Sequence, residues 1–148
     1  MSPVGTSRHF CAMRNLVAIG AKRSLVIPQQ SSALYGGGKW YDRGVFRGKR
    51  AMCALTIGGP PSMYSEAGLN GSISSILFPI NHGMLYFTGF AVIEPFLVHA
   101  PARMSQEARV AELARYRARI LGLASAPTIS YPVLDDYDAN YVLRTKSP

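Results

Sequence analysis

Between Arg50 and Phe87 the chain changes character twice. Arg50-Ala-Met-Cys-Ala-Leu55 is a short apolar run with the length of a buried strand. Thr56-Ile-Gly-Gly-Pro-Pro-Ser-Met-Tyr-Ser-Glu-Ala-Gly-Leu-Asn-Gly71 breaks that run with glycine and proline. From Ser72 to Phe87 apolar residues return at helical spacing, at Ile73, Ile76, Leu77, Ile80, Leu85 and Tyr86. A strand that empties into a long loop and then a helix predicts an α/β fold. In open α/β sheets ligands sit in the crevice outside the carboxyl ends of the strands. Gly58 and Gly59 have no Cβ, so a flat ligand can approach their N–H groups. Pro60 and Pro61 stiffen the exit, and Tyr64 offers an aromatic body with a hydroxyl tip. Residue types alone fit an ordinary surface loop equally well.

The helix is expected to be largely buried, with Pro79 kinking or ending it early and Gly89 as its stop. Phe90 to Val98 reads as the next strand, where Pro95 predicts an edge position or a bulge. Ser105 is an N-cap for a last helix, with Glu107 in its first turn. Val110, Leu113, Ala114, Ile120 and Leu121 form its apolar stripe; Arg109, Arg115, Arg117 and Arg119 with Glu112 form its solvated sides. After Pro127 the tail reads as an irregular arm. Upstream, Asn15–Ile19 and Ser24–Ile27 read as two short strands, or the first as an initial α/β strand. Tyr35-Gly-Gly-Gly-Lys-Trp-Tyr41 is a flexible loop and lacks the G-x-G-x-x-G fingerprint.

Composition removes several function classes. The chain has 148 residues, one modest domain, and a net charge of +8. Such a charge suits an enzyme of anionic dinucleotides. The basic residues are dispersed, so nucleic acid is not an expected partner. Two cysteines, Cys11 and Cys53, and three scattered histidines give no metal spacing and no disulfide framework. A reducing cytoplasm is therefore expected. Residues 1–41 hold no acid but several arginines and serines, a composition compatible with a transit peptide or simply with an unusual N-terminus; the latter is our reading. Ile73 to Val98 is interrupted by Pro79, Asn81, His82, Glu94 and Pro95, whereas a bilayer span needs ~20 apolar residues with few breaks.

The stretch TIGGPPSMYSEAGLNG, followed by ILFPINHGMLYFTGF and preceded by YDRGVFRGKR, closely resembles the flavodoxin-like NAD(P)H:quinone oxidoreductases, the DT-diaphorase family. The resemblance runs from about Tyr35 to the C-terminus; residues 1–34 are unassigned. It implies a three-layer α/β/α flavodoxin-like fold with a parallel sheet, incomplete because the N-terminal strands and phosphate loop are missing. It also implies hydride transfer from NAD(P)H through FAD or FMN to a quinone, in a homodimer.

The same resemblance implies site residues. Thr56, Ile57, Gly58, Gly59 and Tyr64 would hold the flavin, with Gly58, Gly59 and Tyr64 at its pyrimidine end and Arg109 near an adenine. Tyr64 and Asn70 would serve catalysis. Asn70 stands where animal members carry a histidine; asparagine donates a hydrogen bond but is no acid near neutrality. Tyr35 and Phe87 would line the substrate pocket, Phe87 reaching it from a second subunit. Tyr35's usual companion tyrosine is Gly37 here, which alters that wall. His82 and His99 fall on no catalytic position of the family. The alternative to an enzyme is a truncated, non-catalytic homologue unable to hold flavin tightly.

Overall fold

The computed structural model describes residues 37–144 together with the backbone of Leu16–Ile19. Tyr35, Cys11 and the expected strand at Ser24–Ile27 lie outside the described residues. Among the described residues three strands form one sheet in the order β1 (Leu16–Ile19), β2 (Arg50–Ile57), β3 (Ala91–His99). The expected parallel arrangement holds for β2 and β3. β1 departs from it and runs antiparallel to β2, with Leu16 opposite Cys53 and Ile19 opposite Arg50.

β2 is buried on both faces, as a continuous apolar run requires. Successive side chains point to opposite faces. Ala51, Cys53 and Leu55 therefore pack with Val92, Leu77 and Leu85 on one side. Met52 packs with Ile93, Phe96 and Leu123 on the other. The first face carries α1 (Ile73–Ile80) and the second α2 (Gln106–Leu121), giving the three-layer α/β/α arrangement.

α1 begins where its cap dictates: the Ser72 hydroxyl accepts from the Ser75 N–H at 3.3 Å. Proline inside a helix removes one hydrogen bond. Beyond Pro79 the α-helix ends at Ile80 and continues as a π-helical turn over Asn81–Tyr86. The helix was expected to be largely buried and is less so. Leu77 and Leu85 are buried, whereas Ile76, Phe78 and Met84 are exposed, because only one face meets the sheet. Buried Asn81 accepts a hydrogen bond from the Cys53 thiol at 3.3 Å, and burial pushes that thiol up. Gly44 and Gly89 press backbone to backbone: a Cβ on Gly44 would stand 2.5 Å from the Thr88 carbonyl.

Pro95 sits in a bulge of an edge strand. Met52 pairs with Ile93 but Ala54 pairs with Phe96, so β3 carries one extra residue. An edge strand presents backbone groups that need partners. Here the Val92 carbonyl accepts from the Ile129 N–H at 2.7 Å, the Glu94 carbonyl from Arg119 at 3.0 Å and the Leu97 carbonyl from Arg115 at 2.6 Å. The Arg115 guanidinium also lies over the Phe96 ring at 4.1 Å.

These bonds overturn the expected orientation of α2. Its start is as expected, with the Ser105 hydroxyl accepting from the Ala108 N–H at 3.2 Å. Most of its apolar stripe, however, faces outward: Val110, Leu113 and Leu121 are 55%, 68% and 76% exposed. Of the expected stripe Ile120 alone turns inward, with Tyr116 and Arg119 beside it. Two arginines on the sheet-facing side fix the rotation of the helix through β3's carbonyls.

Candidate functional site

Past the end of β2 the loop is shaped by its own backbone. The Met63 N–H donates to the Pro60 carbonyl at 3.1 Å, the Gly68 N–H to Ser65 at 2.9 Å and the Asn70 N–H to Met63 at 2.9 Å. Gly68 is required there, since a Cβ would lie 2.5 Å from the Ser62 carbonyl oxygen. Gly71 takes φ +73, a left-handed conformation suited to glycine. Gly58 is exposed and nothing stands within 4 Å of where its Cβ would be. Gly59 is hemmed in: its Cβ would meet the Met63 sulfur at 2.9 Å and the Tyr64 ring at 3.2 Å.

Thr56, Gly58, Gly59, Tyr64 and Asn70 are thus gathered at one strand end, the first two and Asn70 exposed, Gly59 and Tyr64 half-buried. Ile57 differs: its side chain is 2% exposed and belongs to the core, leaving only its backbone to face the loop. Arg109 shares an open groove of about 470 Å³ with Thr56, Met104 and Leu113, at the carboxyl end of the strands. His99, which sequence reasoning set aside, joins the loop: its Nδ1 lies 3.2 Å from the Gly59 carbonyl and its ring 5.9 Å from that of Tyr64.

Phe87 belongs to a different assembly. Its ring packs edge-on against Tyr41 at 5.3 Å and Trp40 at 6.3 Å. Beside them a cavity of about 360 Å³ is lined by Trp40, Tyr41, His82, Tyr86, Tyr137 and Tyr141, among others. Trp40 also meets the Tyr141 ring at 6.1 Å. Tyr41 and Tyr141 hold φ +50 and +61, strained values for aromatic residues, and both face this cavity. The tail is strapped across it. The Asp42 carboxylate accepts from the Leu134 N–H at 2.9 Å, Arg43 bonds Asp135 at 2.5 Å, and the Tyr86 hydroxyl donates to the Pro132 carbonyl at 3.0 Å. Burial, then Asp42, Tyr137, Asp136 and Tyr41, push the Tyr86 phenol up to about 12. Burial lowers the His82 imidazole from its ordinary value, favouring the neutral ring. No sequence spacing announces this assembly, because its rings come from three separate segments.

Among the described residues no group of three or more His, Cys, Asp or Glu is placed to hold a metal ion, and no helix is long and apolar enough to cross a membrane.

A sheet layered by helices, with a glycine loop at its carboxyl edge, defines the class. Residues 30–120 match a family described as having the flavodoxin-like fold, and the chain belongs to that family. Within it the chain is similar to NAD(P)H dehydrogenase (quinone) 1 of Cavia porcellus, 34% identical over 101 residues that make up 68% of this chain and 37% of the relative. It is 38% identical over 81 residues to ribosyldihydronicotinamide dehydrogenase (quinone) of Homo sapiens, covering 55% of this chain and 35% of that one. A solved Klebsiella pneumoniae structure described as a quinone reductase superposes with a TM-score of 0.69 at 35% identity, over 72% of this chain and 42% of that chain. The chain spans little more than a third of the length of these curated relatives.

Proposed function

We propose that the loop Thr56–Gly71 forms the pyrimidine-end side of a flavin site, FAD or FMN, in an NAD(P)H:quinone oxidoreductase. The observation that carries this is Gly58: an exposed glycine at the strand end with nothing within 4 Å of where its Cβ would be, so that its backbone is open to a flat ring edge. When bound, the flavin supplies the hydride chemistry, accepting from a nicotinamide and passing to a quinone.

The chain's own residues bind and orient. Backbone N–H groups at Gly58 and Gly59 meet negative charge on the ring without reorganising, because the turn is fixed beforehand. Tyr64 donates from its hydroxyl to the same end. Asn70 donates a hydrogen bond but supplies no proton. Arg109, over the groove beside Thr56, meets the phosphate or adenine portion. Phe87 and the aromatic residues around it provide a stacking wall for the quinone in a homodimer, which the exposed Ile76, Phe78 and Met84 on the same helical segment support. We place the protein in the cytoplasm.

Purified protein titrated with FAD gives the expected result when the flavin's visible absorbance co-elutes with the chain. A chain that stays colourless after reconstitution contradicts the proposal and leaves a non-catalytic homologue.

A further inference from the structure

The parallel ladder of β2 and β3 ends on one rung, Ile57 opposite His99. Beyond that rung the two chains part, and two contacts reach back from β3 to the end of β2. The Ala100 N–H donates to the Ile57 carbonyl at 2.6 Å, with Ala100 held at φ +48. Alanine adopts this left-handed conformation only where its surroundings impose it. The second contact is His99 Nδ1 to the Gly59 carbonyl, 3.2 Å. A carbonyl can only accept, so Nδ1 is the donor in this contact.

A glycine turn has no side chain of its own to hold it. Gly59 is packed on one side by Met63 and Tyr64. Its carbonyl belongs to the planar peptide that joins Pro60, whose nitrogen has no hydrogen to donate. Gripping that carbonyl therefore fixes the orientation of the whole Gly59–Pro60 peptide. The same imidazole lies tilted at 54° to the Tyr64 ring, 5.9 Å away between centroids.

We infer that His99 is a positioning residue: from the neighbouring strand it holds the Gly58–Gly59 turn and Tyr64 in the orientation that a ring-shaped anionic ligand meets. The assignment deepens the flavin reading of the loop and rests on it for the identity of the ligand. The brace itself is a property of the protein alone.

Three substitutions in the full chain test it. In His99→Asn the side-chain amide nitrogen sits near the place of Nδ1 and still donates. In His99→Gln the amide reaches instead to the place of Nε2, and in His99→Leu no donor remains. Amide hydrogen exchange is followed in the peptide over 58–71, where the Met63 and Asn70 N–H groups are internally bonded. FAD binding is followed in parallel by quenching of flavin fluorescence. We expect the Gln and Leu variants to exchange faster across this peptide and to bind FAD about tenfold more weakly, the scale of one lost hydrogen bond. The Asn variant should stay close to the parent in both. A Gln variant indistinguishable from Asn and parent in exchange overturns the brace, and it does so even if Leu fails to fold. A parent that binds no FAD overturns the flavin reading, while the exchange comparison still decides the brace.

Discussion

The loop Thr56–Gly71 and the aromatic cavity are built from opposite materials. The loop is chiefly a backbone structure: its shape comes mostly from N–H to carbonyl bonds within one consecutive stretch, with the His99 contact to the Gly59 carbonyl as a distant brace. The cavity is a side-chain structure, whose rings arrive from Trp40–Tyr41, from the π-helical turn and from the tail at Tyr137 and Tyr141. A backbone site can be fixed locally. A side-chain site depends on each of its distant segments staying docked. The difference predicts that each can be damaged without the other.

The largest effect should come from Gly68→Ala. The new methyl would meet the backbone of Ser62 and Met63, which cannot give way as a flexible side chain would. We expect about 1–3 kcal/mol of destabilisation in urea titration and loss of FAD binding. Emission from Trp40, the single tryptophan, should be unchanged in the folded protein. A shift in that emission would mean that the two regions are coupled.

Asp42→Ala probes the other side. It removes the acceptor of the Leu134 N–H and loosens the strap over the cavity. The expected cost is about 1 kcal/mol, with a red-shifted Trp40 emission as Tyr141 moves away and faster proteolysis beyond Pro132. Asp42→Asn retains an oxygen acceptor and should restore most of the parent behaviour. Exchange in the 58–71 peptide should not change in either variant.

The smallest effect is in pH dependence. The Tyr86 phenol is raised from an ordinary 10 to about 12 by burial first and Asp42 second. A raised phenol favours the neutral folded form, so its contribution is complete below pH 10 and is lost as pH rises toward 12. Urea midpoints should therefore fall between pH 9.5 and 11.5 less steeply in Tyr86→Phe than in the parent. Equal slopes would show that the buried hydroxyl does not govern this limb.

What could be read from the sequence follows the same division. The start of β2, the cap at Ser105, and the edge position or bulge at Pro95 are set by neighbours in sequence and were legible; the end of β2 was not, since the strand runs on through Thr56 and Ile57, and neither was the cap at Ser72. Nor was the rotation of α2. Its leucines and valine have the spacing of a buried stripe, yet Arg115 and Arg119 turn the helix by bonding the carbonyls of Leu97 and Glu94. Nothing in helical periodicity reports the unmet carbonyls of a strand edge. His99 was passed over for a related reason: its partner, the Gly59 carbonyl, lies forty residues away and has no side chain to mark it. Of the aromatic assembly only Phe87, which packs on Trp40 and Tyr41, was named from the sequence as a site residue. The strained tyrosines that complete it are brought together by tertiary contacts.

A loop that holds a flavin for hydride transfer to a quinone must support turnover once the flavin is supplied. The most direct measurement is NADH or NADPH oxidation by FAD-reconstituted protein, read as absorbance loss with and without menadione. The account predicts menadione-dependent oxidation that Gly68→Ala abolishes while the protein remains folded. Turnover that is absent in the reconstituted parent, or that survives undiminished in Gly68→Ala, would contradict it.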